Sequence, residues 1–176
     1  MSRVITFSRV FPSYHPRAGE PTYFVEKILR GIHDDEHLEQ LQINYETLRS
    51  LNFNEILELD SPGKFEPKHH TIRAGHRWKV GDCFSPREWS GIPYKSKQIT
   101  FAPDIEIKKV WDFLFLSTGI YRIGTRQFEG EVESDHELLE DIAKNDGLSK
   151  RDLLEWFLYP KYFDGQIIAW NENINY

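Results

Sequence analysis

The chain has 176 residues, a net charge of −6 and a hydrophobic content of 39%, with 14% aromatic residues. That suffices for one domain with its own core, and no apolar run approaches the ~18 residues of a membrane-spanning helix. The opening MSRVITFSRVF lacks the apolar core of a secretory signal, and the single cysteine, Cys83, excludes an intrachain disulfide and a zinc site of several thiolates, so a soluble cytoplasmic protein is expected.

Residues 3–11 read as a short strand through Val4, Ile5 and Phe7, and FPSYHPRAGEP then breaks the pattern. From Pro21 the spacing is helical, with Phe24, Val25, Ile28, Leu29 and Ile32 on one face and Gly31 near the end. A second helix starts at DDEH and carries Leu38, Leu41, Tyr45 and Leu48. After DSPGKFEPK the period changes to two. HTIR and VGDCF are strand candidates joined through a Gly81-Asp82 turn, and SPREWSGIPYKSKQ reads as a loop. IEIKKVWDFLF is the clearest strand signal, with Ile105, Ile107, Trp111, Phe113 and Phe115 on one face and Lys109 interrupting it.

Two helices close the chain. Ser134 and Glu137 form a capping box for the first, which stops at Gly147. Ser149 and Asp152 open the second, Pro160 ends it, and GQIIAW returns as a last strand. The expected fold class is α+β: one domain over 1–176, with a small, strongly curved sheet or barrel and a helical insertion within 12–65.

Charge is unevenly distributed. Between Lys64 and Lys97 there are eight Lys/Arg and three acidic residues, +5, against −11 for the remainder. Such a segment suits an anionic ligand. Three of the seven histidines also fall here, at 69, 70 and 76. His69, His70, His76 and Cys83 do not have metal-ligand spacing, and neighbours on a strand point in opposite directions, so neither a metal nor another cofactor is expected. His70 and Ile72 share the core-facing side, which makes His70 a packed, hydrogen-bonded histidine. His69, Thr71 and Arg73 project from the other side.

Lys68 follows Pro67 and belongs to the turn before this strand, where its ammonium can swing back towards Thr71. Lys68, Thr71 and Arg73 then converge at a strand mouth. A desolvated lysine can lose its proton near neutral pH, a threonine hydroxyl can use it as a base, and an arginine can grip a carbonyl or phosphate. The trio lacks a carboxylate to orient it. In the following loop, Arg87, Lys95 and Lys97 surround Trp89 and Tyr94, a mixture that suits phosphates and a stacked base.

These residues carry a family resemblance. ITFSRVF, KHHTIR followed by WKVGD, and DGLSKRDLLEWF resemble the ASCH domains of the PUA-like superfamily. Those domains show Lys-x-x-Thr-Ile-Arg, a Gly-Asp turn and a late acidic residue before a helix. The larger, often phage-encoded members are also similar around SPREWSGIPYKSKQ. The resemblance covers residues 1–11 and about 66–171, leaving 12–65 as an insertion. It implies a small PUA-like β-barrel with flanking helices and a pocket beside the Thr-Ile-Arg strand. Relatives bind RNA or read modified bases, and some compact members remove the acyl group from N4-acetylcytidine with a Lys, a Thr and a Glu. Residue by residue, the base falls on Lys68, the nucleophile on Thr71, the motif's arginine on Arg73 and the acid on Asp146.

Asp146 is one methylene shorter than the family's glutamate, about 1.5 Å of reach, and a misplacement of ~1 Å can cost on the order of 100-fold in rate. The favoured expectation is therefore a module that binds RNA, single-stranded nucleic acid or a modified nucleoside. Arg73, Arg87, Trp89, Tyr94, Lys95 and Lys97 would hold the ligand. The second reading is an amidohydrolase using Lys68, Thr71 and Asp146. The 21–50 helical pair is a candidate docking surface for a protein partner.

Overall fold

A computed structural model describes residues 3–32, 64–116, 121–128, 136–158 and 162–176. In chain order the elements are β1 (Arg3–Thr6), α1 (Phe24–Ile32), β2 (His70–Ala74), β3 (Cys83–Trp89), β4 (Gln98–Thr100) and β5 (Ile105–Glu106). They continue as β6 (Lys109–Leu116), β7 (Tyr121–Ile123), β8 (Arg126–Phe128), α2 (His136–Asn145), α3 (Lys150–Leu158) and β9 (Tyr162–Ala169). The expected α+β class is what forms. Among the described residues no helix is long and apolar enough to cross a membrane.

Two adjacent residues of β9 explain the layering. Ile167 and Ile168 are both fully buried yet belong to different cores, because successive strand residues point to opposite faces. β9 lies inside a five-stranded sheet of order β2-β9-β6-β7-β8. One face meets α2 and α3 through Ile72, Phe113, Phe115, Leu139, Ile142, Leu153 and Phe157. The other meets α1 and a second sheet through Phe7, Phe24, Ile28, Phe84, Ile107 and Ile168. In that second sheet β3 is central, parallel to β1 on one edge and antiparallel to β4 and β5 on the other. Among the described residues these two sheets do not close into one barrel.

The run IEIKKVWDFLF is not one strand. It changes sheets at Ile107 and Lys108: β5 pairs with β3, and β6 runs along β9 from Lys109↔Ala169 to Leu116↔Tyr162. Ile107 bonds to the Gly81-Asp82 turn in both directions, and Lys108 N–H donates to Ala169 O. The regular alternation therefore feeds two cores, with Ile105 and Ile107 in one and Phe113 and Phe115 in the other. Lys109 sits at the crossing and donates through Nζ to Ile174 O and Asn175 Oδ1, both at 2.6 Å.

The expected loop SPREWSGIPYKSKQ is strand at both ends, since Ser85–Trp89 belong to β3 and Gln98 begins β4, and a loop over residues 90–97 between them. Proline is tolerated at position 86 because it falls between the β5 pairing at Cys83–Phe84 and the β4 pairing at Arg87–Trp89. No ladder donor is needed there. Strand β1 ends at Thr6, shorter than the 3–11 expected. The expected helix around Leu38–Leu48, the cap at Ser134 and the stop at Pro160 lie outside the described residues.

Helix α1, placed by the sequence in a peripheral insertion, is part of the core: Phe24, Val25, Ile28 and Leu29 are buried. Burial on this scale stabilises by roughly 1.5–3 kcal/mol per large apolar side chain. It also leaves that face of α1 unavailable to a protein partner, and residues 33–50 of the expected docking surface lie outside the described residues.

Candidate functional site

Lys68 is held between the side of α1 and the C-terminal end of α2. Its N–H donates to Lys27 O in α1 at 2.8 Å, and His69 N–H donates to Asn145 O in α2 at 2.8 Å. The chain can pass this close to α1 only because residue 31 is glycine. A Cβ at Gly31 would lie 2.0 Å from the Lys68 carbonyl oxygen.

Helix α2 ends in a Schellman motif. Gly147, at φ +74°, donates to Lys144 O, and Leu148 donates to Ala143 O, both at 2.9 Å. Asp146 is the last residue of that turn, with its backbone carbonyl left over. The Lys68 side chain fills this vacancy: Nζ donates to the Asp146 carbonyl and to Asp146 Oδ1, the latter at 2.6 Å. A helix C-terminus and a carboxylate both favour a cation here. Lys27 reinforces the same turn by donating from Nζ to Gly147 O at 2.6 Å.

The pair is deeply buried, with Lys68 1% and Asp146 6% exposed. Burial lowers the Lys68 pKa from 10.5 to about 8, and the nearby Asp146 charge limits the fall. Burial also pushes the Asp146 carboxyl up, opposed by Lys68. The Lys68 ammonium lies 4.4 Å from the Phe24 ring centroid.

A small cavity of about 120 Å³ adjoins this pair. It is lined by Thr6 and Ser8, by Phe24 of α1, by Thr71, Ile72 and Arg73 of β2, by Asp146, and by Trp156 and Phe157 of α3. The pairing of β2 with β9 fixes which β2 side chains point towards β1 and β3. Thr71 lies opposite Ile168 and Arg73 opposite Gln166, on the sheet face towards β1 and β3. His70 and Ile72 take the helix face. Thr71 is 4% exposed.

The Arg73 guanidinium lies 4.8 Å from the Phe7 ring centroid. Its Nε is fully covered and has no hydrogen-bond partner. Desolvation lowers the Arg73 pKa to about 10, with Asp146 opposing. A buried cationic donor without an acceptor costs free energy until something supplies one. A larger groove of about 590 Å³ lies elsewhere, beside Trp170. Its Asp104, Glu106 and Glu172 are matched by Lys108 as the one cation, which gives it the wrong sign for an anionic ligand.

The sequence-predicted site residues thus divide. Thr71, Arg73 and Asp146 line the cavity, Lys68 joins them from behind through its bond to Asp146, and the shorter acid does reach its lysine. Arg87, Trp89, Tyr94, Lys95 and Lys97 do not line the cavity. They lie on the β3–β4 hairpin, where Tyr94 is 89% exposed with φ +64° and its ring stands 5.3 Å from that of Trp89. Lys95 and Lys97 are exposed. Arg87 is half-buried, donating to Ser85 Oγ at 3.3 Å and to Gln98 Oε1 at 3.5 Å. Gln98 in turn donates to Thr6 Oγ1 at 3.4 Å, which links the hairpin base to the cavity rim.

Among the histidines, His70 is fully buried and hydrogen-bonded as expected, and His69 Nδ1 lies 3.3 Å from Asn171 Nδ2. His76 is on the surface between Asp112 and Asp164, at 2.8 and 2.9 Å, and these carboxylates raise its pKa. Cys83 is exposed.

Sequence reasoning missed Phe24, Lys27 and Gly31, which sit in the segment set aside as an insertion. It also missed Thr6, Ser8 and Trp156. Gly31 near the end of an apolar helix was the one available signal for close backbone approach. Compared with known families, characterised proteins and solved structures, the chain matches no family model, no curated protein and no solved structure.

Proposed function

We propose that the protein is an amidohydrolase that removes the acyl group from an N4-acylated cytosine nucleoside, as its ASCH-like motif implies. The observation that carries this reading is the buried Lys68–Asp146 pair beside a cavity that also holds Thr71 and Arg73. A lysine with a pKa of about 8 is neutral in a usable fraction of molecules near neutral pH.

Neutral Lys68 takes the proton from Thr71 Oγ1 as that oxygen bonds to the acyl carbonyl carbon. Arg73 donates to a substrate carbonyl oxygen and satisfies its orphaned Nε. Asp146 holds Lys68 in place and stabilises the ammonium that forms. The C–N4 bond then breaks, and Lys68 returns the proton to the leaving amine. Water releases the acyl group from Thr71 by the reverse sequence.

The cavity volume of about 120 Å³ corresponds to about four waters at ~30 Å³ each. It is below the ~300 Å³ at which whole-ligand pockets begin. It therefore takes the acyl group and the edge of the base, with the sugar at the mouth. Incubation with a panel of modified nucleosides, read by mass spectrometry, tests this. Acylcytidine should lose its acyl group to wild-type protein, and a panel left wholly untouched would refute the reading.

The hairpin favours a second reading, recognition of RNA or single-stranded nucleic acid around a PUA-like fold. Tyr94 and Ile92, 89% and 66% exposed, stand beside Trp89 and the free cations Lys95 and Lys97. Stacking a base there contributes ~1–3 kcal/mol. Affinity for a short RNA should fall steeply with salt and drop on Trp89→Ala. Binding indifferent to both would remove this reading and leave the first intact.

A further inference from the structure

Behind the Lys68–Asp146 pair runs a second line of polar contacts that the proposed reaction does not use. Asn145 Nδ2 donates to the Tyr176 hydroxyl at 3.0 Å, and that hydroxyl lies 3.0 Å from His70 Nδ1. The other ring nitrogen of His70, Nε2, lies 3.7 Å from Asp146 Oδ1, the same oxygen that accepts from Lys68. Nε2 is buried and has no hydrogen-bond partner meeting normal geometry. Tyr176 is held in position by its ring contact with Trp111 at 5.0 Å and by the Lys109 clamp on Ile174 and Asn175.

The acceptors around the ring set the direction of this line. A phenol has one proton, and with Asn145 donating to its oxygen that proton is free to go to His70 Nδ1. His70 Nδ1 is then the acceptor, and the neutral ring carries its hydrogen on Nε2. The far end of the ring requires this tautomer, because a bare Nε2 lone pair facing a carboxylate oxygen and the Ile142 carbonyl would be repelled. The groups facing the imidazole are Lys68 and His69 from its own segment, Asp146 and the Ile142 carbonyl from α2, and Tyr176. Complete burial, and then the Lys68 charge, keep it from taking a second proton.

We propose that His70 is a positioning residue for the site, locked by Tyr176 in the Nε2–H tautomer so that it faces Asp146 Oδ1 with a neutral donor opposite Lys68. The carboxylate is then approached by a donor from each side, and Lys68 is the one partner able to give up its proton. The consequence for hydrolysis rests on the amidohydrolase reading, whereas the tautomer and its effect on Asp146 do not.

The experiment is NMR of protein labelled with ¹⁵N in histidine and ¹³C in aspartate, for wild type, Tyr176→Phe and His70→Gln. Wild-type His70 should show a protonated Nε2 and an unprotonated Nδ1. Tyr176→Phe keeps the ring against Trp111 but removes the proton donor, so the Nε2–H tautomer should lose its dominance. The Asp146 carboxyl should then titrate higher, because a neutral N–H 3.7 Å from Oδ1 no longer favours its charged form. His70→Gln can keep an amide donor near the Nε2 position and should hold Asp146 close to its wild-type titration. A wild-type His70 protonated on Nδ1, or a Tyr176→Phe protein with unchanged His70 and Asp146 signals, would overturn the proposal. If no acylated nucleoside is hydrolysed, these signals still decide it, and the failure belongs to the functional reading alone.

Discussion

Lys68 and Lys95 belong to the same basic stretch of sequence, and the fold gives them opposite environments. Lys68 is 1% exposed, bonded to a carboxylate and a helix-end carbonyl, and its pKa falls to about 8. Lys95 is exposed at the tip of a hairpin beside Tyr94. The first is costly to bury and chemically useful because of that cost, since a desolvated ammonium sheds its proton readily. The second stands in open solvent and suits only a diffuse, screened attraction. Equal charge in sequence therefore says little about role until burial is known.

The comparison can be broken at several points. The largest effect should come from losing the pair's balance: Asp146→Ala leaves Lys68 buried alone and should cost roughly 3–5 kcal/mol in denaturant unfolding at neutral pH. Replacing both partners, Lys68→Met with Asp146→Leu, should recover most of that stability while leaving the protein inactive. Next comes Gly147→Ala. Position 147 has φ +74°, and a Cβ there would meet Lys27 Cδ at 3.1 Å and Lys68 Cβ at 3.4 Å. The expected loss is about 1–2 kcal/mol, with reduced activity because the same turn presents Asp146.

The smallest effects should be at the hairpin. Tyr94→Ala and Lys95→Ala should change stability by less than ~0.5 kcal/mol, as exposed substitutions usually do, and act on nucleic-acid affinity alone.

Acidity sharpens the same contrast. Lys68 is the base only when neutral, so kcat/KM for acyl release should rise about tenfold per pH unit up to a plateau above about pH 8. The stability effect follows from the lowered pKa. Between about 8 and 10.5 the unfolded lysine still holds a proton that the folded one has lost. This group's contribution therefore makes the fold more stable as pH rises through that window.

Much of the centre was legible from local pattern alone. Period-two alternation put Thr71 and Arg73 on one face and His70 and Ile72 on the other, and the β2–β9 register has that arrangement. Gly147 and the Ser149–Asp152 cap marked the turn that carries Asp146, and Asp152 N–H does donate to Ser149 Oγ at 3.0 Å. What local pattern could not supply was contact between distant segments. Nothing in KHHTIR announces that Lys68 threads between α1 and α2, or that Tyr176 comes to rest on His70. The sheet switch at Ile107 was equally hidden, because alternation continues unbroken while the neighbouring strand changes. The doubt over aspartate in place of glutamate concerned reach, and reach depends on how closely two backbones approach. Gly31 and Gly147 bring them near enough for the shorter acid.

The central claim is that Thr71, activated by Lys68, carries the reaction. Acetate release from N4-acetylcytidine by wild type and by Thr71→Ala, measured side by side at pH 8 with folding checked by circular dichroism, tests it most directly. The account predicts release by wild type and a loss of at least ~100-fold in a fully folded Thr71→Ala protein. Equal rates in the two proteins would contradict it.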